Sequence, residues 1–142
     1  MRSISSTRHG AVGRGARGAI AALAALALAA CSDKAPSNRD GVIDAWKKAG
    51  LTVSTMSAVE GKALGGGDCQ AGTIGGLDVT LCTYGSDKAA SAAQDAGLAS
   101  VGGVTGASLA QGSMLLVVAD RRNVDPSGRT IDQVTKAFRG RK

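Results

Sequence analysis

The stretch Cys69-Gln70-Ala71-Gly72-Thr73-Ile74-Gly75-Gly76-Leu77-Asp78-Val79-Thr80-Leu81-Cys82 decides the fold. Gly-Gly is a favoured two-residue hairpin turn, because glycine accepts positive φ without a Cβ clash. Centring the turn on Gly75-Gly76 sets Ile74 opposite Leu77 and, counting outward, Cys69 opposite Cys82. Pair types alternate along an antiparallel ladder, and this count puts the cysteines at a non-hydrogen-bonded pair. There the Cα atoms approach to about 4.5 Å, within disulfide reach. A bridge closing about 14 residues stabilises a fold by roughly 3 kcal/mol in the chain-entropy model. The rival arrangements are two free thiols or a redox pair, and redox pairs usually sit in Cys-X-X-Cys at a helix start. Along the second strand Leu77, Val79 and Leu81 share one face, and Asp78, Thr80, Cys82 and Tyr84 share the other. The first face reads as core, which sets the bridge on the outer side.

Downstream, Ser86 caps a helix expected over 87–96, rich in alanine and stopped by Gly97. Residues 101–109 and Met114–Ala119 follow as a second hairpin turning near Gln111-Gly112. Met114-Leu115-Leu116-Val117-Val118-Ala119 is apolar on both faces, as a central strand is. Asp125-Pro126-Ser127-Gly128 is turn chemistry. Thr130 to Gln133 offers a capping box for a last helix with Ile131, Val134 and Phe138 on its buried stripe.

Upstream, a loop is expected around 61–68, and residues 51–55 alternate like a half-buried strand. Asp40 stands where it would cap a helix over 40–49 carrying Val42, Ile43, Trp46 and Ala49, with Gly50 as the stop. The expected fold is a small single α+β domain in the order α-β-β-β-α-β-β-α. It is a mostly antiparallel sheet of about five short strands with about three helices.

The first 30 residues have a different character. Arg2, Arg8, Arg14 and Arg17 precede twelve apolar residues, 19–30, drawn from Ala, Leu and Ile. A bilayer-spanning helix needs about 20 such residues, whereas twelve suit the apolar region of a secretory signal peptide. The run ends in Leu28-Ala29-Ala30-Cys31, which resembles the lipobox of bacterial lipoproteins. The resemblance covers residues 1–31. It implies removal of 1–30, acylation of Cys31 with palmitate-type chains, a flexible tether over 31–39 and a globular domain over 40–142. Ser32 in the place after the cysteine resembles the outer-membrane type in enteric lipoproteins. The implied address is the cell envelope, anchored by lipid to a membrane facing the periplasm or the surface. Export would place Cys69 and Cys82 in an oxidising compartment, where such a pair closes.

Removing the first 30 residues also removes His9, the sole histidine, and four arginines, leaving 13 basic against 11 acidic residues. Without imidazole, most acid/base triads and ordinary zinc sites are excluded, so no metal or cofactor is expected. Nucleic-acid binding is not expected either, since the remaining charge is nearly balanced and only Trp46, Tyr84 and Phe138 are aromatic. Gly65-Gly66-Gly67 lacks the Gly-Lys-Ser/Thr of a phosphate loop and reads as a turn. The basic tail Arg139, Arg141 and Lys142 suits anionic headgroups or a solvated terminus. Arg121-Arg122, with Arg129 nearby, is the candidate anion site; the competing account is a solvated loop neutralised by Asp120 and Asp125. No catalytic residues stand out. The expected function is therefore a non-catalytic, lipid-anchored envelope component that meets an envelope protein partner. The alternative is a lipid-anchored module for a small, anionic ligand, using Arg121, Arg122 and the open face of the sheet.

Overall fold

Gly75 and Gly76 both take positive φ, +57° and +88°, and the hairpin they close has the register counted from the sequence. Strands β2 (Asp68–Ile74) and β3 (Leu77–Thr83) pair from Ile74–Leu77 out to Asp68–Thr83. Cys69 and Cys82 face each other and are bonded, with Sγ–Sγ 2.03 Å and Cα–Cα 4.0 Å. The computed structural model describes residues 34–140. The segment 1–30 expected to be a signal peptide, Cys31, Ser32 and the basic tail residues Arg141 and Lys142 lie outside the described residues.

Five strands form one sheet in the order β1-β2-β3-β5-β4, and every neighbouring pair is antiparallel. The remaining strands are β1 (Ser57–Val59), β4 (Gly106–Gln111) and β5 (Met114–Ala119). The helices are α1 (Arg39–Lys48), α2 (Asp87–Ala92), α3 (Gln94–Val101) and α4 (Arg129–Phe138). With α2 and α3 as one helical stretch, the order is the expected α-β-β-β-α-β-β-α. Because β5 lies between β3 and β4, those two run in the same direction. Their connection must therefore cross the sheet, and α2–α3 is that crossover.

Helices pack on both faces of the sheet, on the second only over β4, β5 and the disulfide end of the hairpin. On one, Leu77, Val79, Leu81, Met114, Leu116 and Val118 pack against Val42 and Trp46 of α1 and Ile131, Val134 and Phe138 of α4. On the other, Leu115, Val117, Ala119, Cys69 and Cys82 pack with Leu64, Ala93 and Val101. This corrects the expectation that the bridge lies on the outer side: Cys69 is 1 % and Cys82 0 % exposed. The crossover and a 3-10 turn at Lys62–Leu64 enclose it. The two-sided apolar pattern of β5 is the same fact read along one strand, and all six of its residues are buried. β5 is interior, although β3 occupies the middle of the sheet.

Several boundaries differ from those read locally, among them the strand expected over 101–109, which runs Gly106–Gln111 because Val101 still belongs to α3. Helix α1 is capped not by Asp40 but by Asn38, whose Oδ1 accepts the Gly41 N–H at 2.8 Å; Asp40 instead favours the first-turn dipole. Residues 51–55 contribute only an isolated bridge between Val53 and Ile74, and the edge strand forms at 57–59. The helix expected over 87–96 breaks at Ala93, and α3 runs through Gly97 to end at Gly102. A Cβ at Gly97 would lie 2.3 Å from Ser108 Oγ and 2.9 Å from Val117 Cγ2, so this glycine lets α3 lie close on β4 and β5. Finally, α4 starts after Gly128 without a side-chain cap at that position. In place of the expected capping box, the buried Asp125 carboxylate accepts the Ile131 N–H at 2.9 Å.

Candidate interaction site

Arg121 and Arg122 leave the end of β5 and turn to opposite neighbours. Arg121 Nη2 donates to the Ser100 carbonyl at 2.7 Å, at the last turn of α3. Arg122 Nη1 donates to the Gly76 carbonyl at 2.6 Å, and its Nη2 donates to Asp78 Oδ1 at 2.7 Å. Asp78 Oδ2 lies 3.8 Å from Arg121 Nε, so one carboxylate on β3 faces both guanidinium groups. The structure thus brings the two arginines together and gives their N–H groups protein acceptors. They join the β2–β3 turn, β5 and α3, a structural task. About half of each side chain is exposed, which limits such ion pairs to roughly 0–1 kcal/mol.

The carboxylates expected to neutralise these arginines do other work. Asp120 accepts the N–H groups of Val124 at 2.9 Å and Asp125 at 2.8 Å, which folds the loop back on itself. Asp125 accepts from Ser127 Oγ at 3.2 Å as well as from Ile131. Burial pushes the Asp125 carboxyl up; the hydrogen bonds from Ile131, Ser127, Thr130 and Arg129 outweigh it and hold the group below its ordinary range. Asp78 is the partner that local reading missed. It is 44 residues from Arg122, and only the β3–β5 ladder joins them.

The triglycine turn is packed at its last residue, Gly67, while Gly65 and Gly66 are exposed. Gly65 and Gly66 carry φ +79° and +83°, and a Cβ at Gly67 would lie 2.8 Å from the Tyr84 ring. The Tyr84 hydroxyl donates to the Leu64 carbonyl and so fastens the 3-10 turn over the disulfide. Burial raises its pKa, which keeps that donor protonated. Among the described residues, every buried side-chain N or O has a hydrogen-bond partner, and no group of three or more His, Cys, Asp or Glu could hold a metal. Also among them, no helix is long and apolar enough to cross a membrane.

A groove of about 560 Å³ runs along the outer side of α1 and α4. Helical spacing builds it. Gly41, Ala45, Lys48 and Ala49 form one stripe of α1, and Gln133, Lys136, Ala137 and then Gly140 form a stripe on and just past α4. The small residues leave the floor low and apolar, while Lys34, Lys48 and Lys136 stand around it. Trp46 fixes the two helices beneath: its Nε1 donates to the Val134 carbonyl at 2.9 Å. Lys34 and Pro36 complete one wall, so residues assigned to a tether in fact pack on the domain. Arg39, also assigned there, is helical and donates to Asp68 Oδ2 and Thr83 Oγ1, both at 2.6 Å. Sequence reading missed the groove, because its lining alanines and glycines carry no chemical signature.

On the opposite face, α2 and α3 lie over β4 and β5. Ala71, Thr73, Asp78 and Thr80 of the hairpin remain half-buried, and the short edge strand β1 is exposed throughout. No family model, curated protein or solved structure matches the chain.

Proposed function

We propose that this chain is a lipid-anchored component of a bacterial cell envelope that works without catalysis, holding its domain at a membrane surface to meet another envelope protein. The observation that carries this reading is where the packed domain begins. A Cβ at Gly140 would lie 2.6 Å from the Ala35 backbone, so the chain is already seated at Ala35, four residues after Cys31. Four extended residues reach about 14 Å. Acylation at Cys31 would therefore hold the domain close against the bilayer with the α1–α4 side nearest. The uncovered hairpin strip and β1 would then point away, where an unpaired edge strand can accept a partner strand.

A second reading keeps a small ligand. The groove volume lies within the ordinary range of small-molecule sites, roughly 300–1,000 Å³, and supports that reading better than the committed guanidiniums of Arg121 and Arg122 do.

Mass spectrometry of the mature protein tests the anchor: the expected product begins at an acylated Cys31, and an intact Met1 end in soluble protein would sink the reading. Replacing Cys31 by Ala should release the protein from membranes without lowering the stability of the domain. Photo-crosslinkers placed singly at Ser57, Thr73 and Thr80 in living cells test the partner. One protein captured repeatedly at these sites is expected; none captured at any site overturns the docking role.

A further inference from the structure

The two ends of the described chain meet. Lys34 and Ala35 lie beside Gly140, and the groove between α1 and α4 opens at the same place. Positive charge stands along this groove. Lys34 stands on the approach to α1, Lys48 in the last turn of α1, Lys136 in the last turn of α4, and exposed Arg139 just after it. Arg141 and Lys142 follow in the sequence. Among the described residues Lys34, Lys48 and Arg139 form no ion pair, whereas Lys136 meets Asp132 at 2.8 Å. The other acids near this end are Asp40 and Asp44 on α1, one position before the groove stripe at Gly41 and Ala45, Asp87, which lines a hollow with Ala35, Pro36 and Ser37, and Asp33 in the sequence before Lys34.

An apolar floor of Gly41, Ala45, Ala49 and Ala137 inside a ring of ammonium groups has the polarity profile of a bilayer interface in reverse. Apolar surface meets the ester and upper acyl region, and lysines extend their ammonium groups to phosphates. We propose that this groove and its lysine rim seat the headgroups of anionic phospholipids in the membrane that carries the anchor, an inference that rests on the anchor reading above. The occupant follows from chain length and charge. Cys31 is three residues from Lys34, about 10 Å at full extension, so an acylated Cys31 delivers this end of the domain to headgroups before any other surface. Anionic lipid then draws the basic rim down and fixes which way the domain faces.

Hydrogen exchange of the full mature protein, its N-terminal mass verified, tests the proposal in vesicles of phosphatidylcholine alone and of phosphatidylcholine with about one-third phosphatidylglycerol. The expected result is several-fold slower exchange of peptides covering 34–49 and 133–140 in the anionic vesicles. Raised salt and the variant K34E/K48E should both abolish it. Equal exchange in the two vesicle types, or protection on β1 and the hairpin instead, overturns it. So does equal protection from inorganic phosphate without vesicles, which marks a free-anion site. If Cys31 carries no acyl mass, the anchor reading fails by itself. The same chain is then sedimented with both vesicle types, and binding to neither overturns the lysine surface too. In that assay K34E/K48E should lower partitioning into anionic vesicles by on the order of tenfold or more.

Discussion

Trp46 and Val134 are 88 residues apart, yet the indole N–H of one donates to the main-chain carbonyl of the other at 2.9 Å, with both side chains fully buried. This contact joins α1 to α4 under the groove and gives the largest side chain of the core its polar partner. Replacing Trp46 by Phe removes the donor and part of the volume, so urea denaturation should show a loss of about 1–2 kcal/mol. Trp46→Ala should cost about 3–5 kcal/mol. A Trp46→Phe protein as stable as the parent would show that the contact contributes nothing.

The disulfide is enclosed, so it should resist mild reductant and thiol alkylation until the domain unfolds. Replacing both cysteines by Ala should lower stability by about 2–4 kcal/mol while leaving the strand register intact. Rapid reduction of the native protein, read by mass-tagged alkylation, would contradict the burial described above.

Gly97 sits in the middle of a helix, where alanine is ordinarily better by roughly 1 kcal/mol. Here Gly97→Ala should instead destabilise by about 1–3 kcal/mol, because its Cβ meets Ser108 Oγ and Val117. Adding Ser108→Ala should recover part of that loss, a coupling that a double-mutant cycle measures. Strict additivity would place the two residues out of contact.

Asp125 carries the acid sensitivity of α4. Its folded pKa lies below the ordinary carboxylate value, so its contribution is present above the unfolded value, about 4, and is lost as pH falls through the lower folded one. Thermal melts of Asp125→Asn should fall a few degrees below the parent at neutral pH, and the gap should close in acid. A gap that persists at low pH would mean that the side chain acts by shape and not by charge.

What the residues show locally and what they do not divides along contact range. The Cys69–Cys82 register was readable because Gly75-Gly76 admits one turn and each step outward is then fixed. The stripe Ile131, Val134, Phe138 was readable because helical period alone defines it. Residues 51–55 alternate convincingly, but strand pairing needs a partner. Only the Val53–Ile74 bridge forms, held by the Ser54 N–H on the Thr73 carbonyl and the Gly75 N–H on the Thr52 carbonyl, while Ser54 Oγ takes the Thr73 N–H at 2.7 Å that a longer ladder would use. The stop expected at Gly97 failed for the complementary reason: a glycine required by a neighbouring sheet looks, in sequence, like one that ends a helix.

The groove belongs wholly to the second kind. Its alanines and glycines are ordinary helix residues, and its lysines are scattered from 34 to 136. Sequence alone determined the hairpin, its bridge, the order of elements and the buried run of β5, since each depends on neighbours along the chain. Tertiary structure alone decided that helices pack on both sheet faces, that Asp78 meets Arg122, and that distant lysines surround one apolar floor. Those outcomes depend on which way a crossover passes and how closely two helices approach, quantities set by packing between surfaces and carried by no single segment.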